Sequence, residues 1–241
     1  MNRFEQTDAQ EPVSAAAFYR DDVVVASGNA SRVYSRAGKV TATLGGHPLG
    51  SIVNALVVNT DHSLVACTAG SSLVVHDPSS QTERTLHSKP KSAYSALAFS
   101  PTKPTLLAAG TSNGLLHLFE TTRPSAPLRT LALSSAPHPP PVTNLAFSAV
   151  APLLVATTSK GQLSLIDTEK RKVVLSLETG VEILRGGMAL GPDGRTVLLV
   201  GDGVVRILDI KARKGMKEIV LEGGGELGGI AFQVRASSLL S

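Results

Sequence analysis

The chain has 241 residues, of which 42% are hydrophobic and 17% are charged, and its formal net charge at pH 7 is +4. The hydrophobic fraction is enough for a packed core, and a mild charge spread along the chain does not indicate a nucleic-acid-binding surface. No stretch reaches the ~18 apolar residues needed to cross a bilayer, and the polar N-terminus predicts neither a secretory signal nor a transit peptide. The single cysteine, Cys67, excludes an internal disulfide and favours a reducing compartment, so we expect a cytoplasmic protein.

Residues 1–12 precede the first predicted strand, and we interpret them as a tail or as a strand that closes the last repeat. Two segments follow, over about residues 13–51 and 52–91, and each has the apolar runs of four short strands. Their fourth strands are predicted at Lys39–Leu44 and Glu83–Leu86.

The third segment, about residues 92–141, shows the pattern most clearly. Short apolar runs in it predict three strands: Ala96–Ser100, Leu106–Ala109 and Leu115–Phe119. The last two are separated by Thr111-Ser112-Asn113-Gly114, where Asn and Gly tolerate the positive φ that a tight hairpin needs. A fourth strand is predicted at Leu128–Leu133. A sheet of this size buries its faces only if something stacks on it.

Two further segments of the same design cover about residues 142–184 and 185–228, and a partial one covers residues 229–241. Equivalent first-strand positions are Phe18, Val58, Phe99, Phe147, Leu190 and Phe232. Their successive spacings are 40, 41, 48, 43 and 42 residues. Because the apolar pair that ends each third strand recurs with the same rhythm, the chain is predicted to be a repeat array.

A period of about 40–45 residues with four strands per repeat is typical of a WD-type β-propeller. The chain resembles the WD40-repeat family over nearly its whole length. Its matching repeat positions are Gly46-His47, Asp77, Asp167, Asp209 and Gly191-Pro192-Asp193-Gly194. There is no Trp, and the family's Trp position is held by Tyr34, His76, Phe119, Ile166 and Leu208. We therefore expect an all-β propeller with five complete four-stranded blades and a partial sixth. Its ring is expected either to be incomplete or truncated, or to be completed by other means.

Within that family the chain is most similar to the γ-tubulin ring complex targeting adaptors of centrosomes and spindle poles. The matching runs, in order, are Ser72-Leu73-Val74-Val75-His76, Leu106-Leu107, Asn113-Gly114-Leu115-Leu116-His117-Leu118-Phe119, Ala136-Pro137-His138, Val142-Thr143-Asn144-Leu145-Ala146-Phe147-Ser148, Leu165-Ile166-Asp167-Thr168, Arg171-Lys172-Val173-Val174 and Gly229-Ile230-Ala231-Phe232-Gln233. The resemblance implies an adaptor that recruits the γ-tubulin complex in microtubule nucleation and spindle assembly. The family's first two blades, and the C-terminal helical region that contacts the γ-tubulin complex, have no counterpart in this alignment.

The longest spacing reflects a Pro-rich connector, residues 134–141, which favours polyproline II and cannot join a β-ladder. Its candidate partner-binding residues are Pro137, His138, Pro139 and Pro140. Basic turns supply the other candidates, which are Lys89, Lys91, Arg171 and Lys172. Each feature also has a plainer interpretation, as a stiff exposed connector or as a solvated hairpin turn.

No motif in the sequence assembles a catalytic, cofactor or metal site. Residues 223–228 match G-x-G-x-x-G, but a strand and not a helix is predicted to follow them. The six histidines are scattered without metal-ligand spacing. We therefore expect a non-enzymatic scaffold with protein partners and with no cofactor, metal or small-molecule substrate. Two alternatives stay open: a nuclear scaffold in RNA processing or ribosome biogenesis, motivated by the basic turns and the pI of about 9.3, and catalysis at a central channel.

Overall fold

The computed structural model describes residues 12–28, 30–46, 52–87, 92–123, 126–183, 185–201, 203–212 and 214–220. Within these ranges the chain forms 20 β-strands and no helix, and accordingly none that is long and apolar enough to cross a membrane. The strands make five antiparallel sheets, each built from four consecutive strands. The chain divides into two compact units, residues 1–142 and 143–241.

The first unit contains three sheets, in which each strand is hydrogen-bonded to the next one along the chain. The first sheet consists of β1 (Val13–Tyr19), β2 (Asp22–Ser27), β3 (Ala30–Tyr34) and β4 (Val40–Gly46). The second sheet consists of β5 (Val53–Val58), β6 (Val65–Ala69), β7 (Ser72–Asp77) and β8 (Thr82–His87). The third sheet consists of β9 (Tyr94–Phe99), β10 (Leu106–Thr111), β11 (Leu115–Glu120) and β12 (Arg129–Ala132).

The second unit contains the remaining two sheets, which have the same strand order. The fourth sheet consists of β13 (Val142–Phe147), β14 (Leu153–Thr158), β15 (Gln162–Asp167) and β16 (Lys172–Glu178). The fifth sheet consists of β17 (Met188–Leu190), β18 (Thr196–Gly201), β19 (Val204–Asp209) and β20 (Lys214–Val220). Short turns join the strands within each sheet, as antiparallel neighbours allow.

The prediction of an all-β chain with four strands in each complete repeat is confirmed. In the third sheet, for example, the strand predicted at Leu106–Ala109 covers Leu106–Thr111, and the strand predicted at Leu115–Phe119 covers Leu115–Glu120. In the turn between them, Gly114 has the expected positive φ, at 74°. The partial sixth repeat, residues 229–241, lies outside the described residues, and so do residues 1–11 of the predicted tail.

Neighbouring sheets of the first unit share apolar cores. The core between the first and second sheets includes Val24, Val33 and Cys67. The core between the second and third sheets includes Leu73 and Leu107. Burying one such aliphatic side chain contributes about 1.5–3 kcal/mol, so these shared cores hold the three sheets together.

The second sheet illustrates how the repeats pack. All five residues of its inner strand β6 are buried. Side chains alternate between the two faces of a strand, so continuous burial requires a neighbour on each face. The first and third sheets supply those neighbours.

In the second unit, the fourth and fifth sheets share an apolar core. It includes Val155, Leu163, Ile183 and Leu199, all of which are buried. Ile183 comes from the connection between the two sheets and not from a strand. The connection therefore contributes to the core as well as linking the sheets.

Candidate partner-binding surface

The aspartates at the recurring repeat position close the turn between the third and fourth strands of their sheets. Oδ1 of Asp77 accepts hydrogen bonds from the backbone N–H groups of Ser79 (2.9 Å) and Ser80 (3.2 Å). Oδ1 of Asp167 and Oδ1 of Asp209 each accept two backbone N–H bonds, from the residues two and three positions later. A short polar side chain that bonds its own turn in this way stabilises the turn. The geometry gives these aspartates a structural role.

Hydrogen bonding keeps these three carboxylates ionised. The pKa of Asp77 is lowered to about 2, chiefly by the hydrogen bond from the hydroxyl of Ser79. The pKa of Asp209 is also lowered to about 2, chiefly by Arg195, whose Nε donates to Oδ2 over 2.6 Å. The pKa of Asp167 is lowered chiefly by the backbone N–H of Lys170. Each of these carboxylates therefore stays ionised to a lower pH than an ordinary aspartate does.

The basic turn of the fourth sheet presents Arg171 and Lys172 to solvent, since both residues are exposed. Arg171 has a φ of 52°, in the left-handed region, and Lys172 pairs with Asp167 across the start of β16. The neighbouring Lys170 places Nζ 3.7 Å from Oδ2 of Asp167. The aspartate thus fixes the backbone of the turn, while two cationic side chains remain available at its surface.

Several candidates from the sequence lie outside the described residues. They include both lysines of the turn that follows the second sheet, Lys89 and Lys91, and also His47. Gly46 is the last residue of β4, where it pairs with Ala30. Of the basic candidates, the structure therefore places only the pair in the fourth sheet.

The Pro-rich connector packs against the turn between the second and third strands of its own sheet. A Cβ on Gly114 would lie 2.5 Å from Cβ of Pro139, which is closer than real contacts allow, so this approach requires glycine. Pro139 and Pro140 are partly buried, whereas Pro137 and His138 are exposed. The connector therefore has a partly buried side that packs against the sheet and an exposed tip, which consists of Pro137 and His138.

The connector tip and the basic turn belong to different repeats, and each lies at a different end of its own repeat. In a four-stranded antiparallel sheet, the turn between the third and fourth strands lies at the same end as the first turn. The connection that leaves the fourth strand lies at the other end, beside the second turn. The connector tip belongs to the first unit and the basic turn to the second, so the two are described separately as candidate surfaces.

Two of the residues that the sequence matches to the WD40 Trp position, Phe119 and Leu208, pack between sheets. Phe119 is 1% exposed, in the core of the second and third sheets. Leu208 packs against the core of the fourth and fifth sheets. His76 is buried and places Nδ1 3.6 Å from Oε2 of Glu83. Tyr34, in the first sheet, is only partly buried.

Sequence reasoning missed a cleft between the second and third sheets, with a volume of about 240 Å³. Asp77, Glu83 and Arg84 line it from the second sheet, and Thr121 lines it from the third. Nη1 of Arg84 bridges the two sheets by donating to the carbonyl oxygen of Thr121 over 2.6 Å. No spacing in the sequence brings these residues together, because their proximity depends on how two repeats pack.

Among the described residues, no group of three or more His, Cys, Asp or Glu side chains is placed to hold a metal ion. Burial raises the pKa of the Cys67 thiol to about 12, so this thiol is protonated at neutral pH. No family model and no curated protein matches the chain.

Proposed function

We propose that this chain is a non-enzymatic scaffold of the WD40 β-propeller type that binds protein partners. The observation that carries the proposal is the repetition of one design in five consecutive four-stranded sheets. Within each unit, neighbouring sheets share apolar cores, as the blades of a propeller do. Rigid stacking of this kind leaves turns and connectors free to vary, and such loops commonly bind partners.

The connector tip and the basic turn are the proposed contact surfaces. The connector tip presents an apolar ring and an imidazole on a backbone that Gly114 and Pro139 hold in place. A preorganised proline-containing segment loses little conformational entropy when it binds. The basic turn presents an Arg and a Lys, and Arg is enriched among residues that dominate binding energy at interfaces.

The specific partner we propose is the γ-tubulin complex or another centrosomal component, reached in the cytoplasm at centrosomes or spindle poles. The support for it is the resemblance of an ordered set of sequence runs in this chain to the γ-tubulin ring complex targeting adaptors. Three of these runs fall on β7, β11 and β15, and two others fall on the connector tip and the basic turn.

The test is whether the tagged chain, expressed in dividing cells, is enriched at spindle poles and centrosomes and co-purifies with the γ-tubulin complex or another centrosomal component. We expect binding to weaken in the double charge reversal Arg171→Glu with Lys172→Glu, or in the pair Pro137→Ala with His138→Ala. Matched controls are Lys103→Glu and Pro192→Ala, which change an exposed lysine and an exposed proline in other turns. The controls should bind as the unaltered chain does.

Two outcomes would remove the proposed partner: no co-purification of the γ-tubulin complex or another centrosomal component with the tagged chain, or no enrichment of the tagged chain at spindle poles and centrosomes. Binding that all four variants retain would keep the partner and reject both contact surfaces. Salt-sensitive binding to RNA at low ionic strength, without binding to the γ-tubulin complex, would favour the alternative of a scaffold in RNA processing or ribosome biogenesis.

A further inference from the structure

The last strand of the second sheet, β8, has an outer edge that pairs with no other strand among the described residues. The strand order of this sheet is β5-β6-β7-β8, so β8 is hydrogen-bonded to β7 on one side only. Four consecutive residues of β8 are exposed: Thr82, Glu83, Arg84 and Thr85. The unpaired N–H and C=O groups of such an edge can accept an added strand. We call this surface the β8 edge.

Successive side chains of β8 lie on opposite faces of the second sheet, as they do in any strand. Arg84 is on the face toward the third sheet, where its guanidinium donates to the carbonyl oxygen of Thr121. Glu83 is on the face toward the first sheet, where a Cβ on Gly45 would overlap its carboxylate oxygen. The β8 edge therefore carries one charge of each sign, and the two charges lie on opposite faces.

A cleft lies beside the β8 edge on each of these faces. The large cleft, toward the third sheet, has a volume of about 240 Å³ and is lined by Arg84 and Thr121 among others. The small cleft, toward the first sheet, has a volume of about 140 Å³ and is lined by His76 and Glu83 among others. Since side chains alternate along a strand, a strand added to the β8 edge would direct neighbouring side chains into different clefts.

The large cleft holds donors that need an acceptor. Thr121 is 4% exposed, and its hydroxyl has no hydrogen-bond partner among the described residues. A buried polar group in this state costs about 1–3 kcal/mol. Arg84 has no ion-pair partner within the described part of the chain, and the carboxylate of Asp77 on the same face is held by its own turn through Oδ1. A carboxylate from a ligand would accept bonds from both donors.

The small cleft offers the opposite charge. The side chain of Glu83 is 44% exposed, and its Oε2 lies 3.6 Å from Nδ1 of His76. A carboxylate has about four lone-pair sites, so Glu83 can accept further hydrogen bonds from a cationic side chain. The two clefts thus suit ligand groups of opposite charge.

We propose that the β8 edge binds an extended peptide segment of a partner protein in which an acidic residue stands next to a basic one. The peptide pairs with β8, its carboxylate enters the large cleft between Arg84 and the hydroxyl of Thr121, and its cation enters the small cleft beside Glu83. This inference rests on the proposed function only in requiring a protein partner. It uses neither the connector tip nor the basic turn.

The test is a titration of the nitrogen-15-labelled chain with the synthetic peptide Thr-Val-Glu-Lys-Val-Thr, followed by amide NMR. We expect saturable shifts at Thr82, Arg84 and Thr121, whereas the signal of Val24 in the first sheet should keep its position. The matched control peptide Thr-Val-Glu-Val-Lys-Thr has the same composition and net charge, but both its charges lie on one side of an extended strand. It should bind about tenfold more weakly or worse. No saturable shift with the first peptide, or equal affinity for the two peptides, would overturn the proposal.

Substitution of Arg84 tests the acidic side chain's place. Arg84→Gln should weaken binding of the first peptide about tenfold. The matched control is Arg129→Gln, which changes an exposed arginine on the outer strand of the third sheet and should leave the affinity unchanged. Unchanged affinity in Arg84→Gln would contradict the placement of the carboxylate in the large cleft.

Substitution of Thr121 separates binding from folding. Thr121→Val removes a hydroxyl that has no partner among the described residues, so it should weaken peptide binding about threefold while stability to urea stays the same or rises. Thr68→Val makes the same change at another such buried hydroxyl outside the clefts, and it should leave binding unchanged. Full affinity in Thr121→Val would also overturn the proposal. Because these assays use purified chain and synthetic peptides, their failure and the failure of the proposed γ-tubulin partner are separate results.

Discussion

Gly201 is the last residue of β18, and the connection between the fourth and fifth sheets packs directly against it. A Cβ built on Gly201 would overlap the carbonyl oxygen of Glu182 and would lie 2.8 Å from Cγ1 of Val181. The carbonyl belongs to the backbone, so relieving the overlap requires moving the segment that carries Ile183 into the core. Overpacking a core costs about 1–3 kcal/mol. We expect Gly201→Ala to lower the free energy of unfolding by an amount near the upper end of that range.

Gly203 provides a matched control two residues away. It has a φ of 71°, and a Cβ there would meet no atom within 4 Å. Gly203→Ala should therefore cost only the strain of the left-handed backbone, about 1–2 kcal/mol. Asn tolerates that conformation better than Ala, so Gly203→Asn should be milder than Gly203→Ala. At position 201 the order should reverse, because Asn is larger than Ala.

Urea unfolding, followed by far-ultraviolet circular dichroism, measures all four variants under one condition. The expected outcome is the opposite ranking of Ala and Asn at the two positions. A loss below about 0.5 kcal/mol for Gly201→Ala, which is the size of an ordinary surface effect, would refute the close approach. So would a Gly201→Asn variant that is more stable than Gly201→Ala.

Three other outcomes are expected. The pKa values of Asp77 and Asp209, about 2 in the folded chain, lie below the ordinary value of about 3.9. The stability that these carboxylates contribute should therefore be complete above about pH 4 and lost as the pH falls towards about 2. Across that range, the urea midpoint of Asp77→Asn should change less than that of the unaltered chain. The thiol of Cys67 should react with a thiol reagent only after unfolding, and rapid modification of the folded chain would contradict its burial. Leu107→Ala should lower the free energy of unfolding by about 2–5 kcal/mol. In the same urea assay, Val174→Ala, at a 44% exposed position on an outer strand, should change that free energy by no more than about 0.5 kcal/mol.

Local residue patterns predicted the strands because each signal lies within a few residues of the strand that it specifies. In the third sheet, the Asn113-Gly114 turn and the apolar runs on either side of it define two neighbouring strands. The fourth strands of the first three repeats were also predicted, but their ends differ by one or two residues. The segment predicted at Lys39–Leu44, for instance, corresponds to Val40–Gly46. Strand ends depend on pairing with the neighbouring strand, which alternating hydrophobicity reports only weakly.

The candidate partner-binding surface was harder to predict from the sequence than the strands were. The exposure of Pro137 and His138 accords with a solvated connector, but the contact of Pro139 with Gly114 joins residues that are 25 positions apart. The cleft lined by Glu83 and Thr121 likewise combines two repeats. Periodicity within one repeat carries no information about which side chains of two repeats meet.

The amino-acid sequence by itself determined that this chain forms β-strands in repeats of four, because alternating apolar residues, turn residues and a fixed period are all local or regularly spaced signals. Only the tertiary structure decided which faces of the sheets became cores. Val24 and Phe18 are both apolar residues of the first sheet, yet Val24 is buried against the second sheet and Phe18 is 77% exposed. The physical reason is that burial depends on whether another sheet is present on that face, and neither residue's own sequence neighbours encode its presence.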